Sequence, residues 1–286
     1  MSLPAPRTDA HLHLWDLDRS AYSWITPELG PLHTTITAER ARSELAACGI
    51  DRAVLVQAED SAADTEFLLE LADEHDWVVG VVGWVRLDDP ATADEQLGRW
   101  LAHDAFRGVR HLVHDDPRDD FLALPAVRAS LGLLARAGVP FDVPDAWARH
   151  LVATAELAAA LPELTVVLDH LGKPPAAPDD FAVWRARVAD IAAAPNTVAK
   201  FSGLQVPGRP FTVDGVRPAW DAALELFGPD RLMWGSDWPM TLLTTGYAGT
   251  WAVMSTLVGE LSADEQAQLL SGTADRVYRL PDGGPR

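Results

Sequence analysis

Eight short apolar runs, each followed by a stretch with helical character, recur through this 286-residue chain and leave few folds open to it. The runs read as strands over residues 8–15, 52–57, 78–87, 106–113, 139–143, 164–169, 197–202 and 231–236. Helices are expected between them over about 37–48, 62–75, 92–103 and 125–137, then up to 161, over 181–194 and 216–227, and on to 270. Thr37 suits the first N-cap, and Gly49 the matching C-terminal stop. Strict alternation of this kind implies a parallel sheet with right-handed crossovers. Eight units in a chain of this length fit a closed α/β architecture, the (β/α)8 or TIM barrel, better than an open doubly wound sheet. No glycine-rich phosphate fingerprint follows the first strand, which counts against the dinucleotide-binding alternative. The cycle length is steady and no linker interrupts it, so one domain over residues 1–286 is expected.

Composition narrows the partners. Hydrophobic residues make up 48% of the chain, enough for a large core, and the net charge is −19. That charge argues against nucleic acid, because phosphate binding needs a basic surface. An anionic substrate would need a local positive patch to overcome it. Cys48 is the one cysteine, so no disulfide can form within the chain; a reducing, cytoplasmic setting is the default. No apolar run approaches the length that spans a membrane. A homo-oligomer is left open.

In a barrel, the C-terminal ends of the strands share one mouth, and active sites sit there. Polar side chains end five of these strands: His11 and His13, Arg110 and His111, His170, Lys200, and Asp237. Each alone has an ordinary explanation, since an Asp such as Asp237 can be an N-cap, His170 a hydrogen-bonded core residue and Lys200 a snorkelling cation. Together, at matching strand ends, they point to one site. Trp15, Tyr22 and Trp24 fall in the loop after the first strand, where a lid or a stacking platform for a ring is expected. Gln57, ending the second strand, is expected on the pocket floor, and Trp238 beside Asp237. Asp115, Asp116, Asp119 and Asp120 lack the spacing of a calcium loop and read as a solvated acidic segment. His114 is close enough to the mouth to be held in reserve.

The segments His11-Leu12-His13, Asp169-His170-Leu171-Gly172-Lys173-Pro174, Lys200-Phe201-Ser202-Gly203-Leu204 and Gly235-Ser236-Asp237-Trp238-Pro239 resemble the amidohydrolase superfamily. The branch they most resemble contains L-fuconolactonase, L-rhamnonolactonase and related sugar- and muconolactone hydrolases. The resemblance implies a barrel that opens a lactone with water, with His11, His13, His170 and Asp237 around the reacting centre. These four would form the metal set as well as the catalytic set, holding one divalent ion, zinc first, with Asp237 as general base. A variant in which the histidines polarise the carbonyl without an ion is the alternative. The fourth strand offers Arg110-His111 in place of the lysine that bridges two metals in binuclear members, so two ions are not expected. Arg110, His111, Lys200, Trp15, Trp24, Gln57 and Trp238 are the expected substrate contacts. Decarboxylation of an aromatic or unsaturated acid is the rival activity, though His-x-His replaces the Glu-x-His typical of that group. A non-catalytic binding barrel is the third reading. The loop Gln205-Val206-Pro207-Gly208-Arg209-Pro210 departs from the sugar-lactonase pattern, and Arg209 is a candidate contact for a carboxylated lactone.

Overall fold

The computed structural model describes residues 6–206, 208 and 210–281. Eight parallel strands follow one another around the sheet in sequence order. They are β1 (Thr8–Leu12), β2 (Arg52–Val56), β3 (Val78–Gly83), β4 (Phe106–Arg110), β5 (Phe141–Val143), β6 (Val166–Leu168), β7 (Thr197–Phe201) and β8 (Leu232–Trp234). The ends of the sheet meet just beyond β8. Asp237 N donates to the His11 carbonyl at 2.9 Å, and His13 N to the Trp238 carbonyl at 2.8 Å, in parallel register with Leu12. The result is the expected (β/α)8 barrel, all but closed.

Helices α1 (Ala38–Ala47), α2 (Ala62–Glu74), α3 (Pro90–Leu101), α4 (Pro125–Ala137), α5 (Leu151–Ala160), α6 (Pro178–Ala192), α7 (Val213–Phe227) and α8 (Gly246–Val258) cover the outside. Their ends are chemically marked. Thr37 caps α1 by accepting from Arg40 N, and Gly138 closes α4 in the left-handed conformation that a Cβ disfavours. Two short helices, α9 (Ala263–Ala267) and α10 (Thr273–Tyr278), follow. Arg52 fastens the C-terminal segment beneath the barrel through Ser271, Asp275 and the Pro281 carbonyl. Among the described residues no helix is long and apolar enough to cross a membrane.

The strands are shorter than the apolar runs that announce them. β3 stops at Gly83 where the apolar run extends to Leu87, and β1 stops at Leu12, before His13. At the mouth the chains diverge into loops, and apolar residues such as Val85 and Leu87 stay buried by packing rather than by sheet pairing. Inside the barrel, Val54, Val56, Val82, Val167, Val198 and Met233 form a small apolar core, plugged from below by Tyr278. The polar side chains of the site, His11, His13, His170 and Asp237, lie towards the mouth from that layer.

Candidate functional site

Three imidazoles and one carboxylate meet at the mouth. His11 Nε2 lies 3.0 Å from His13 Nε2. Asp237 Oδ1 lies 3.4 Å from His13 Nε2, 3.8 Å from His11 Nε2 and 3.9 Å from His170 Nε2. The backbone is forced into place to achieve this. His170 and Asp237 take φ of 56° and 58°, a region that non-glycine residues seldom enter. Glycine is required beside them. A Cβ on Gly203, itself at φ 56°, would sit 2.3 Å from His170 Nδ1 and 2.7 Å from Asp237 Oδ2, and one on Gly235 would meet His11 Cβ at 2.6 Å. The glycines of the Ser202-Gly203 and Gly235-Ser236 motifs therefore make room for the cluster.

Outer partners orient the rings. His13 Nδ1 donates to the Val56 carbonyl at 2.7 Å; a carbonyl only accepts, so the neutral ring keeps its lone pair on Nε2. Ser202 Oγ, 2.8 Å from His170 Nδ1, can accept the N–H there in the same way. Asp169 Oδ1 lies 3.4 Å from His11 Nδ1. Burial lowers the pKa of His11 and His170 well below the usual histidine range, which leaves both neutral and able to ligate. Burial pushes the Asp237 carboxyl up, but the surrounding His170, His13 and Lys173 outweigh it and hold it at about 2. With both rings neutral and His13 Nε2 unprotonated, the Lys173 charge is the part that still acts. Four donors around a tetrahedral zinc-like ion would stand about 3.3 Å apart, given bonds of about 2.0–2.1 Å. The separations from Asp237 Oδ1 to the three rings and between His11 and His13, 3.0–3.9 Å, bracket that figure, and two imidazole Nε2 atoms at 3.0 Å need a shared proton or cation between them. His11, His13 and Asp237 lie close enough together to hold a divalent metal ion, and His11, Asp169 and His170 form a second such trio.

The cluster opens into a cavity of about 270 Å³. His13, His170 and Asp237 line its inner end, together with Arg110 and Trp24. Trp24 is held by a hydrogen bond from its Nε1 to the Ala58 carbonyl and by edge contact with Trp15. The loop carrying it is pinned by Tyr22, whose hydroxyl donates to buried Asp64 at 2.6 Å. Asp64 also accepts from Ala58 N, and burial raises its pKa to about 7.

Several expected contacts lie elsewhere. Lys200 is fully buried beneath the cluster, 2.6 Å from Asp142 and 3.0 Å from Asp169, so it has no face on the cavity. It lies two residues after Val198 on β7, which puts both on the inward face of the strand. His111 turns away to stack on Phe121 at 4.2 Å, between Asp60 and Asp116. Gln57 spends its amide N–H groups on Asp60 and the Arg110 carbonyl. Trp15 gives its Nε1 to the Thr34 carbonyl, and Trp238 lies fully buried under Arg40. None of these five lines the cavity. The acidic segment is only partly solvated, since Arg118 clamps Asp116, Arg149 pairs with Asp119 and Asp115 reaches the cavity. Arg209 and Pro207 lie outside the described residues.

Sequence reasoning passed over Asp142, Asp145 and Tyr278 as functional residues, and did not follow Lys173 or Ser202 beyond their motifs. Asp142 carries a signal, a charged residue in the middle of the apolar run Phe141-Asp142-Val143. Asp145, in a loop, carries none.

A family model described as amidohydrolase matches residues 8–280. An L-fucono-1,5-lactonase of Burkholderia multivorans is 34% identical over 292 residues, covering 97% of each chain. Its counterpart from Burkholderia ambifaria is 32% identical over 279 residues, covering 96% of each. A crystal structure of a Burkholderia multivorans amidohydrolase with bound zinc superposes with a TM-score of 0.85 at 32% identity, over 97% of this chain and 100% of that one.

Proposed function

The chain belongs to the amidohydrolase family, and from that premise we propose that it opens a lactone with water, the ring being a sugar-acid lactone such as L-fuconolactone or L-rhamnonolactone. It is a hydrolase of ester bonds. The observation that carries the reading is the convergence of His11, His13 and His170 Nε2 on Asp237 Oδ1 at the inner end of the cavity.

His11, His13, His170 and Asp237 would hold one divalent ion, for which zinc is the first candidate. Bound there, it would supply positive charge to the acyl oxygen and acidify water. The remaining work falls to the chain's own side chains. Asp237, an ionised carboxylate almost sealed from solvent, takes the proton of the attacking water and returns it to the departing ring alkoxide. The Val56 carbonyl keeps the His13 proton on Nδ1, away from the reacting centre. Trp24 presents a fixed aromatic wall to the apolar face of a ring. Arg110, held by the Gln57 carbonyl and by Asp169 at 3.3 Å, brings guanidinium N–H groups to the cavity wall. The lone Cys48 goes with a reducing, cytoplasmic setting.

The test is a pH-indicator assay over a panel of lactones, run on protein as purified, after chelation, and after zinc is returned. Acid release from a sugar lactone that is lost on chelation and restored by zinc is expected. Proton consumption from an aromatic acid, with no lactone opened, would replace this reading with decarboxylation. Full activity in metal-free protein would remove the ion.

A further inference from the structure

Two adjacent loops carry polar groups into the cavity that the chemistry above does not use. Barrel order sets β4 and β5 across the mouth from β1 and β8, which bear His11, His13 and the approach to Asp237. His114 and Asp115 follow β4, and Asp145 follows β5; all three line the cavity, as does Lys173 beyond β6. Asp145 Oδ1 and His114 Nδ1 are buried atoms with no hydrogen-bond partner in the protein. Asp145 is also held at φ 44°, a conformation costly for a residue with a side chain. Buried polar atoms without partners are uncommon in native folds, and at a cavity wall they are matched by a ligand or by water.

The charges on this wall indicate which ligand. Lys173 donates one N–H to the Gly203 carbonyl at 2.7 Å and faces Asp145 Oδ1 at 3.8 Å. Arg110 faces Asp169. Each of these cavity cations therefore has a carboxylate opposite it, and Asp115 adds a further negative group beside His114. A ring carboxylate, which only accepts hydrogen bonds, would meet Asp145 acceptor to acceptor and find no uncompensated cation among the described cavity residues. A ring hydroxyl both donates and accepts. It can give its proton to Asp145 while a neighbouring hydroxyl oxygen accepts from Lys173.

We propose that His114 and Asp145, with Lys173 beside them, form the wall that selects a neutral lactone bearing adjacent hydroxyls and rejects a carboxylated one. The inference rests on the lactonase reading and assigns the residues that set its substrate class. Loss of one hydrogen bond to an ionised group corresponds to about 10- to 100-fold in specificity constant.

The experiment compares kcat/KM for L-fucono-1,5-lactone, unsubstituted δ-valerolactone and a 2-pyrone carboxylate, on zinc-loaded wild type, Asp145→Ala, Asp145→Asn and His114→Ala. Wild type should prefer the hydroxylated ring to δ-valerolactone by about 10- to 100-fold or more, and that ratio should collapse towards one in Asp145→Ala. Asp145→Asn should move the ratio towards the pyrone carboxylate. Binding of a hydroxylated lactam, which keeps its ring, should weaken by about 10-fold or more in Asp145→Ala at unchanged zinc content. Equal loss on all three lactones in Asp145→Ala and in Asp145→Asn would mean a structural role, and wild-type preference for the pyrone carboxylate would reverse the assignment; either overturns the proposal. If wild type opens no lactone, the lactonase reading fails on its own. In that case, tight lactam binding lost in Asp145→Ala still supports the hydroxyl wall, and absent binding overturns it.

Discussion

The histidine cluster at the mouth and the ionic cluster one layer below it are equally buried and only a few ångströms apart, yet they are built on opposite principles. In the lower layer the charges consume one another. Lys200 reaches Asp142 and Asp169, and Tyr278 OH donates to Asp142 at 2.7 Å. Burial raises Asp169, but Lys200 and Arg110 more than offset it and hold the carboxyl below its usual range. In the upper layer nothing comparable closes the set. Three Nε2 atoms and a carboxylate oxygen point at one another beside an open cavity. A buried polar group that is matched within the protein supports the fold, and one left unmatched at a cavity is available to a ligand.

The comparison predicts that substitutions in the two layers fail differently. In the upper layer, Asp237→Asn keeps shape and size while removing the proton acceptor. Turnover should fall about 10²- to 10⁴-fold, with thermal unfolding close to wild type. Retained turnover would show that another group takes the water proton. In the lower layer, Lys200→Met leaves Asp142 and Asp169 buried without their cation. A loss of about 3–5 kcal/mol in urea unfolding is expected, the scale for breaking a buried ion pair. A Lys200→Met protein of normal stability but altered KM would return Lys200 to the substrate side and erase the distinction.

The smallest effect sharpens the contrast with a buried carboxylate that has no cation. Asp64, at the rim, is raised from the ordinary 3.8 to about 7, the opposite direction to Asp169. Its folded form therefore binds more protons than the unfolded chain between about pH 4 and 7. Its contribution to stability falls as pH rises through that window, by at most about 1.4 kcal/mol per pH unit, and is flat above it. Asp9 and Asp142, each raised to about 6, act in the same direction, so the informative quantity is the difference between wild type and Asp64→Asn. The variant should show a shallower fall in urea midpoint from pH 4 to 7; parallel curves would mean that Asp64 does not titrate there.

The barrel was legible in the chain because periodicity and caps are local. The α4 boundaries at Pro125 and Ala137, the Thr37 cap and the order of eight strands all follow from residues a few positions apart. His11, His13, His170 and Asp237 were legible as a set because strand ends in such a fold must share a mouth. Facing and depth were not. Whether a strand-end residue looks into the cavity, as Arg110 does, or sits a layer below it, as Lys200 does, depends on the tilt and register of neighbouring strands. Whether a loop residue such as Asp145 joins the wall while His111 turns onto Phe121 depends on how separate loops pack over the rim. Local sequence therefore determined the elements and which end of them carries the chemistry. Long-range packing decided which of those groups a ligand can reach, because each such contact joins segments that meet only once the barrel has closed.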